Sequence, residues 1–166
     1  YGSPCKFIRE HKFGDKYLTP TYKPTVLFFG RKGDEKSIKC IDHLKDLDFD
    51  VSVIWSSKRS EKLPDDIGKI KIDYILCYRS YFILPKFLIE SAKFYSINFH
   101  PGSPKYPGSG GINFSLYNND KNFGVTVHLM DEKVDSGKIL GTKYFPIFDD
   151  RDLFELPHTS FILSIR

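Results

Sequence analysis

Short apolar runs, each closed by a polar, turn-rich segment, recur from Thr25 to Phe145. Thr25–Phe29 (TVLFF), Val51–Trp55 (VSVIW), Tyr74–Tyr78 (YILCY) and Ser96–Phe99 (SINF) predict four strands, the first continuous enough to be buried on both faces of a parallel sheet. Gly124–Met130 and Ile139–Phe145 predict two more. Ile38, Ile41, Leu44 and Leu47 fall at steps of three and predict one helical face, with Asp34 or Ser37 placed to cap it. SSKRSEKLPDDIGK reads as a polar loop with one short helical turn, Pro85–Phe94 as a helix opened by proline, and residues 111–118 as a further helix.

Strands alternating with helices predict an α/β domain, a mostly parallel open twisted sheet with helices on both faces. Residues 1–23 show no sustained period and carry several turn residues, so they read as an irregular N-terminal arm. The tail DDRDLFELPHTSFILSIR begins like a helix and breaks at Pro157. No internal repeat or low-complexity tract interrupts this pattern. A chain of 166 residues reads as one domain.

Composition narrows the class. Forty per cent hydrophobic residues and 15 Phe mark a globular chain, and no apolar run approaches the roughly 20 residues of a membrane span. No N-terminal signal pattern is present. Cys5, Cys40 and Cys77 are too few and too scattered for a disulfide framework or a zinc cluster, which points to the reducing cytoplasm. The net charge of +4 suits an anionic small substrate without demanding nucleic acid, and solvated lysines explain most of it.

Open α/β sheets bind ligands beyond the carboxyl ends of their strands. Gly30–Gly33, Tyr78–Tyr81, Asn98–Gly102 and Met130–Asp135 all lie at such ends. Gly30-Arg31-Lys32-Gly33 lacks the spacing of a dinucleotide fingerprint, no acidic residue ends the second strand, and no phosphate-loop GK[ST] follows. Asn98 and His100 share one side of an extended strand by alternation; an amide can donate to an oxyanion, and an imidazole can shuttle a proton near neutral pH. His128 alternates with Thr126 and Met130 and suits a packing or supporting role. Asp131, Glu132 and Asp135 fit a solvated acidic turn as well as a site. On spacing alone the glycines at 108, 110 and 111 form a turn; alternatively the backbone approaches a ligand there.

NFHPGSPKYPGSGGINFSLYN followed by FGVTVHLMDEKVDSGKIL strongly resembles the catalytic core of the formyltransferases that use N10-formyltetrahydrofolate. LCYRSYFILPKFLI, INFHPGSPKYPG and the later YFPIF look most like the sugar N-formyltransferases, which act on dTDP-linked amino-dideoxy sugars. The resemblance runs from about Thr25 to Phe161 and is most specific between Tyr74 and Pro146. It implies a formyltransferase-like, Rossmann-type core over residues 24–166, a formyltetrahydrofolate cosubstrate, a nucleotide-linked amino sugar, a homodimer, and neither metal, nucleic acid nor membrane.

Carried over by position, the resemblance makes Asn98, His100 and Asp135 catalytic. It places the folate against the loop Tyr78, Arg79, Tyr81, Phe82, Ile83 and Leu84, through main-chain groups of Tyr81–Ile83. It places the sugar nucleotide near Tyr106, Pro107, Gly108, Gly110, Gly111 and Asn113. The resemblance implies that Asn98 and protonated His100 hold an oxyanion, while Asp135 orients His100 and anchors a proton-relaying water. Two departures are the arm over 1–23 and the missing C-terminal region with which sugar enzymes usually continue. The same core also serves methionyl-tRNA, glycinamide ribonucleotide and deformylase reactions, and a core alone could bind folate or sugar nucleotide without turnover.

Overall fold

In a computed structural model that describes residues 22–67 and 71–147, TVLFFGR forms β1 (Thr25–Arg31), buried on both faces as its unbroken apolar run requires. It is followed by α1 (Glu35–Asp46), β2 (Asp50–Ser56), β3 (Ile72–Tyr78), the single turn α2 (Lys86–Ile89), β4 (Ala92–His100), α3 (Gly111–Tyr117), β5 (Asn122–Leu129) and β6 (Ile139–Pro146). The sheet order is β2-β1-β3-β4-β5-β6. The first four strands are parallel, and β5 and β6 are added antiparallel. The expected arm falls mainly on residues 1–21 and the expected tail on residues 149–166, outside the described residues.

Alternation divides the core by sheet face. Val26, Phe28, Tyr74, Leu76, Tyr78, Ile97 and Phe99 pack with Cys40, Ile41 and Leu44 of α1. Leu27, Phe29, Ile75 and Cys77 pack on the other face with Phe82, Leu84 and Leu88 of the β3–β4 connection. Ile112 and Leu116 of α3 cover Phe123, Val125 and Phe145. Helices therefore lie on both faces, as predicted.

Two details correct the sequence expectation, and a third decides between the two expected caps. Ile38 is 46% exposed; the inner stripe of α1 is Ser37, Cys40, Ile41 and Leu44, spaced for a helix of 3.6 residues per turn rather than three. Asp34 is the cap, its carboxylate accepting from the Ser37 N–H and hydroxyl, both at 2.8 Å. The helix at Pro85–Phe94 is confined to Lys86–Ile89, because Ala92 already pairs with Ile72 and the chain has entered β4. Pairing with β3 there outweighs the local helical signal of KFLIESAKF.

Candidate active site

Asn98 and His100 project from the end of β4 on the face that holds Phe82 and Leu84, as strand alternation demands. β5 runs antiparallel beside them and sets His128 opposite Asn98 and Thr126 opposite His100. After β5 the chain turns back through residues 131–137 and brings Asp135 over these side chains. Two backbone features make that turn. Asp135 takes a left-handed φ of +54°, uncommon outside glycine and characteristic of functional turns. Gly137 passes so close to β5 that a Cβ there would stand 1.9 Å from the Leu129 carbonyl oxygen.

The Asp135 carboxylate gathers four partners. Oδ1 accepts from Asn98 Nδ2 at 2.9 Å and lies 3.2 Å from His128 Nε2. Oδ2 lies 3.1 Å from His100 Nδ1 and accepts from the Gly108 N–H at 2.8 Å. Burial by itself pushes this carboxyl upward, but hydrogen bonding from His128, the charge of His100 and the Gly108 N–H outweigh it and hold Asp135 below the usual carboxylate range. His100 is closed on its other side by the Tyr106 carbonyl, 3.0 Å from Nε2. His128 Nδ1 lies 2.8 Å from the Leu129 carbonyl, and Nε2, which donates to Asp135, also lies 3.2 Å from Asn98 Nδ2.

These residues floor a cleft of about 800 Å³ whose walls come from the carboxyl ends of the parallel strands. Arg31 stands at the end of β1, Cys77 on β3, and Arg79, Ser80, Tyr81, Phe82, Ile83 and Leu84 follow β3. The loop after β3 is tied down by side chains. Ser56 Oγ donates to the Gly30 carbonyl at 2.9 Å and accepts from the Tyr81 N–H at 2.8 Å and the Ser80 hydroxyl at 3.2 Å. Ser80 Oγ in turn accepts from the Phe82 N–H at 3.1 Å. Arg79 pairs with the capping carboxylate of Asp34 at 3.1 Å, while Arg31 donates to the Arg79 carbonyl and stacks 4.2 Å over the Tyr81 ring.

The structure thus brings Asn98, His100 and Asp135 into contact. Of the loop expected to meet a cofactor, Arg79 and Tyr81–Leu84 line the cleft; Tyr78 does not, its side chain lying fully buried against Phe99. The Tyr81 and Phe82 N–H groups are spent inside the protein, so main-chain contact from these two residues falls to carbonyls. Of the expected substrate segment, Gly108 lines the cleft, but Tyr106, Pro107, Gly110, Gly111 and Asn113 do not. Tyr106 is turned inward, its hydroxyl on Asp120 and its ring on Phe114. Gly110 caps α3 at φ +86°, and Gly111 packs on Tyr106 where a Cβ would meet its side chain at 3.1 Å. Tyr106, Gly110 and Gly111 thus shape the loop, while Pro107 and Asn113 are exposed. His128 binds Asp135 directly, and Ser56, Asp34 and Arg31 hold the cleft loop; the sequence offered Asp34 only as a helix cap and left Ser56 and Arg31 without an individual role. Alternation with Thr126 and Met130 had given His128 a packing or supporting role, and the register of β5 sets it beside Asn98; Ser56 carried no signal. Among the described residues, no group of His, Cys, Asp and Glu is arranged to hold a metal. No described helix is long and apolar enough to cross a membrane.

The formyl transferase family profile matches residues 17–159. The methionyl-tRNA formyltransferase of Lactobacillus gasseri is 40% identical over 87 residues, 51% of this chain and 27% of that protein. The chain spans about a quarter to a third of the length of the curated relatives it matches. Phosphoribosylglycinamide formyltransferase from Bacillus halodurans shares the fold at a TM-score of 0.71 and 19% identity, covering 86% of this chain and 90% of that one. A sugar N-formyltransferase from a Shewanella species does so at 0.73 and 21%, covering 87% and 66%. With that profile running from before β1 to beyond β6, the chain belongs to the formyl transferase family.

Proposed function

We propose that the protein transfers a formyl group from N10-formyltetrahydrofolate to the amino group of a nucleotide-linked amino sugar, through Asn98, His100 and Asp135. The observation that carries this is the Asp135 carboxylate, which holds Asn98 and His100 side by side on the cleft floor. The cleft suits a folate. Its volume of about 800 Å³ falls within the usual range for small-molecule sites. Ile83 and Val134 offer apolar rim surface, 75% and 48% exposed, and the carbonyls of Tyr81 and Phe82 can accept from a pterin. When bound, the cosubstrate supplies the formyl group.

The protein's own residues provide the rest. The Asn98 amide, on exchanging its 3.2 Å contact with His128 for substrate, is the donor for an oxygen on which negative charge develops; removing such a donor costs about 10² to 10³ in kcat. The His100 ring, engaged at both nitrogens by Asp135 and the Tyr106 carbonyl, acts beside it through its charge. Both His100 nitrogens face acceptors, so the ring satisfies them together only when it carries both protons. Asp135, held ionised by its partners, balances that charge, and a water anchored at its carboxylate is the relay for the proton leaving the amine.

The sugar acceptor is supported by LCYRSYFILPKFLI and INFHPGSPKYPG, which resemble the sugar branch, and by the shared fold of a sugar N-formyltransferase. A second acceptor, methionyl-tRNA, is favoured by the 40% identity to a methionyl-tRNA formyltransferase. The test is incubation with the cosubstrate and a panel of dTDP- and UDP-linked 3- and 4-amino sugars, methionyl-tRNA and glycinamide ribonucleotide, read by mass spectrometry. A formylated amino sugar is expected. A formylated methionyl-tRNA alone would replace the sugar assignment, and no product from any acceptor would remove the activity.

A further inference from the structure

His100 is gripped by the loop that follows it. Gly102 lies over the ring so closely that a Cβ there would stand 2.3 Å from Nε2, and Thr126 Oγ1 holds the Gly102 carbonyl at 2.7 Å. The Tyr106 carbonyl then meets Nε2 at 3.0 Å, while Asp135 meets Nδ1 from the cleft side. Rotation of the imidazole is therefore fixed at both nitrogens, and one of the two fixing groups belongs to a residue whose side chain never reaches the cleft.

That side chain is anchored elsewhere. The Tyr106 hydroxyl donates to Asp120 Oδ2 at 2.5 Å and accepts from Asn118 Nδ2 at 2.9 Å. Its ring lies parallel to Phe114, 6.5 Å between centroids at 16°. Asp120, in the turn between α3 and β5, also accepts from Ser115 Oγ at 3.2 Å and Lys105 Nζ at 2.7 Å. Hydrogen bonds from Lys105 and Tyr106 hold its carboxyl below the usual carboxylate range, so it serves as a charged acceptor, the stronger kind. A surface turn is thus linked through one tyrosine to the catalytic imidazole: Asp120 fixes the hydroxyl, the ring fixes the backbone of residue 106, and that backbone carbonyl fixes His100.

We propose that Asp120 and Tyr106 are positioning residues for His100, acting through the Tyr106 carbonyl and without touching substrate. This rests on the assignment of His100 to formyl transfer. Losing the anchor lets residue 106 drift and frees the imidazole to turn away from the alignment that Asp135 alone cannot enforce. A displacement near 1 Å at a reacting group costs about 10² in rate.

Tyr106→Phe removes the hydroxyl but keeps the ring on Phe114, and Asp120→Ala removes the anchor from a partly exposed position. Either variant that keeps the wild-type circular dichroism decides the matter. In formyl-transfer assays kcat falls about 10- to 100-fold while KM for both substrates stays within about twofold. An unchanged kcat, or a rise in KM alone, overturns the proposal. NMR of protein labelled with ¹⁵N-histidine reads the ring without turnover, with His100→Gln assigning its signal. Wild type shows an Nε2–H protected from exchange, and each variant loses that protection. Protection retained in the variants overturns the proposal. Absence of product from wild type counts against formyl transfer itself, and the NMR comparison still decides the positioning role.

Discussion

Asp135 contributes to stability in a way that pH exposes. Its folded pKa lies below the unfolded value near 3.9, so the stabilisation is present above about pH 4 and is lost as pH falls through the depressed folded value. Asp135→Asn should therefore be less stable than wild type at neutral pH, with the gap closing as pH falls below about 4. Denaturant titrations across pH check this; a gap independent of pH would show that the carboxylate charge is immaterial. A second expectation concerns Gly102. Alanine there places a methyl 2.3 Å from His100 Nε2, a distance no real Cβ tolerates, and the buried ring must give way. Gly102→Ala should lose about 10²-fold or more in kcat while remaining folded; near-wild-type turnover would mean that the position of His100 is not critical. The pairing of Asn98 with His100 was legible from alternation alone. Asp135 was only a strand-end candidate, because its place depends on a left-handed turn and on Gly137 passing over β5, neither of which has a periodic signature; its role came from resemblance.

At the scale of elements, the ends of β1, β2 and β3 are knotted by one buried hydroxyl. Ser56 joins the Gly30 carbonyl to the Tyr81 N–H and so sets the height of the loop proposed to hold the cosubstrate. Each hydrogen bond of this kind is worth about 1 kcal/mol net. Ser56→Ala should raise KM for N10-formyltetrahydrofolate about five- to tenfold with kcat little changed, measured by steady-state kinetics with the acceptor saturating. A fall in kcat at constant KM would place the hydroxyl in the chemistry instead. Ser56 escaped sequence reasoning because a serine ending a strand looks like any polar turn residue. The helix expected over Pro85–Phe94 was cut short for the opposite reason: KFLIESAKF carries a local helical signal, and pairing of Ala92 with β3 chose strand for its end. Ile38 misled because counting only apolar residues overlooked Ser37 and Cys40, which occupy the inner face of α1.

For the whole molecule, the order β2-β1-β3-β4-β5-β6 places β1 where the winding reverses, with β2 on one side and β3 on the other. The cleft opens beyond the carboxyl ends of those parallel strands, where such sheets bind ligands, and this much followed from the alternation of strands and helices. What did not follow is that the antiparallel β5 serves the site too, supplying His128 against Asp135 and Thr126 against the loop over His100. The central claim is that these parts form one formyl-transfer site, and it is tested most directly by following conversion of N10-formyltetrahydrofolate to tetrahydrofolate with a sugar-nucleotide amine, for wild type and for Asn98→Ala. Wild type should consume the cosubstrate in step with formylated product, and Asn98→Ala should fall about 10²- to 10³-fold in kcat. Equal rates for the two proteins, or consumption that does not depend on the amine, would contradict the account.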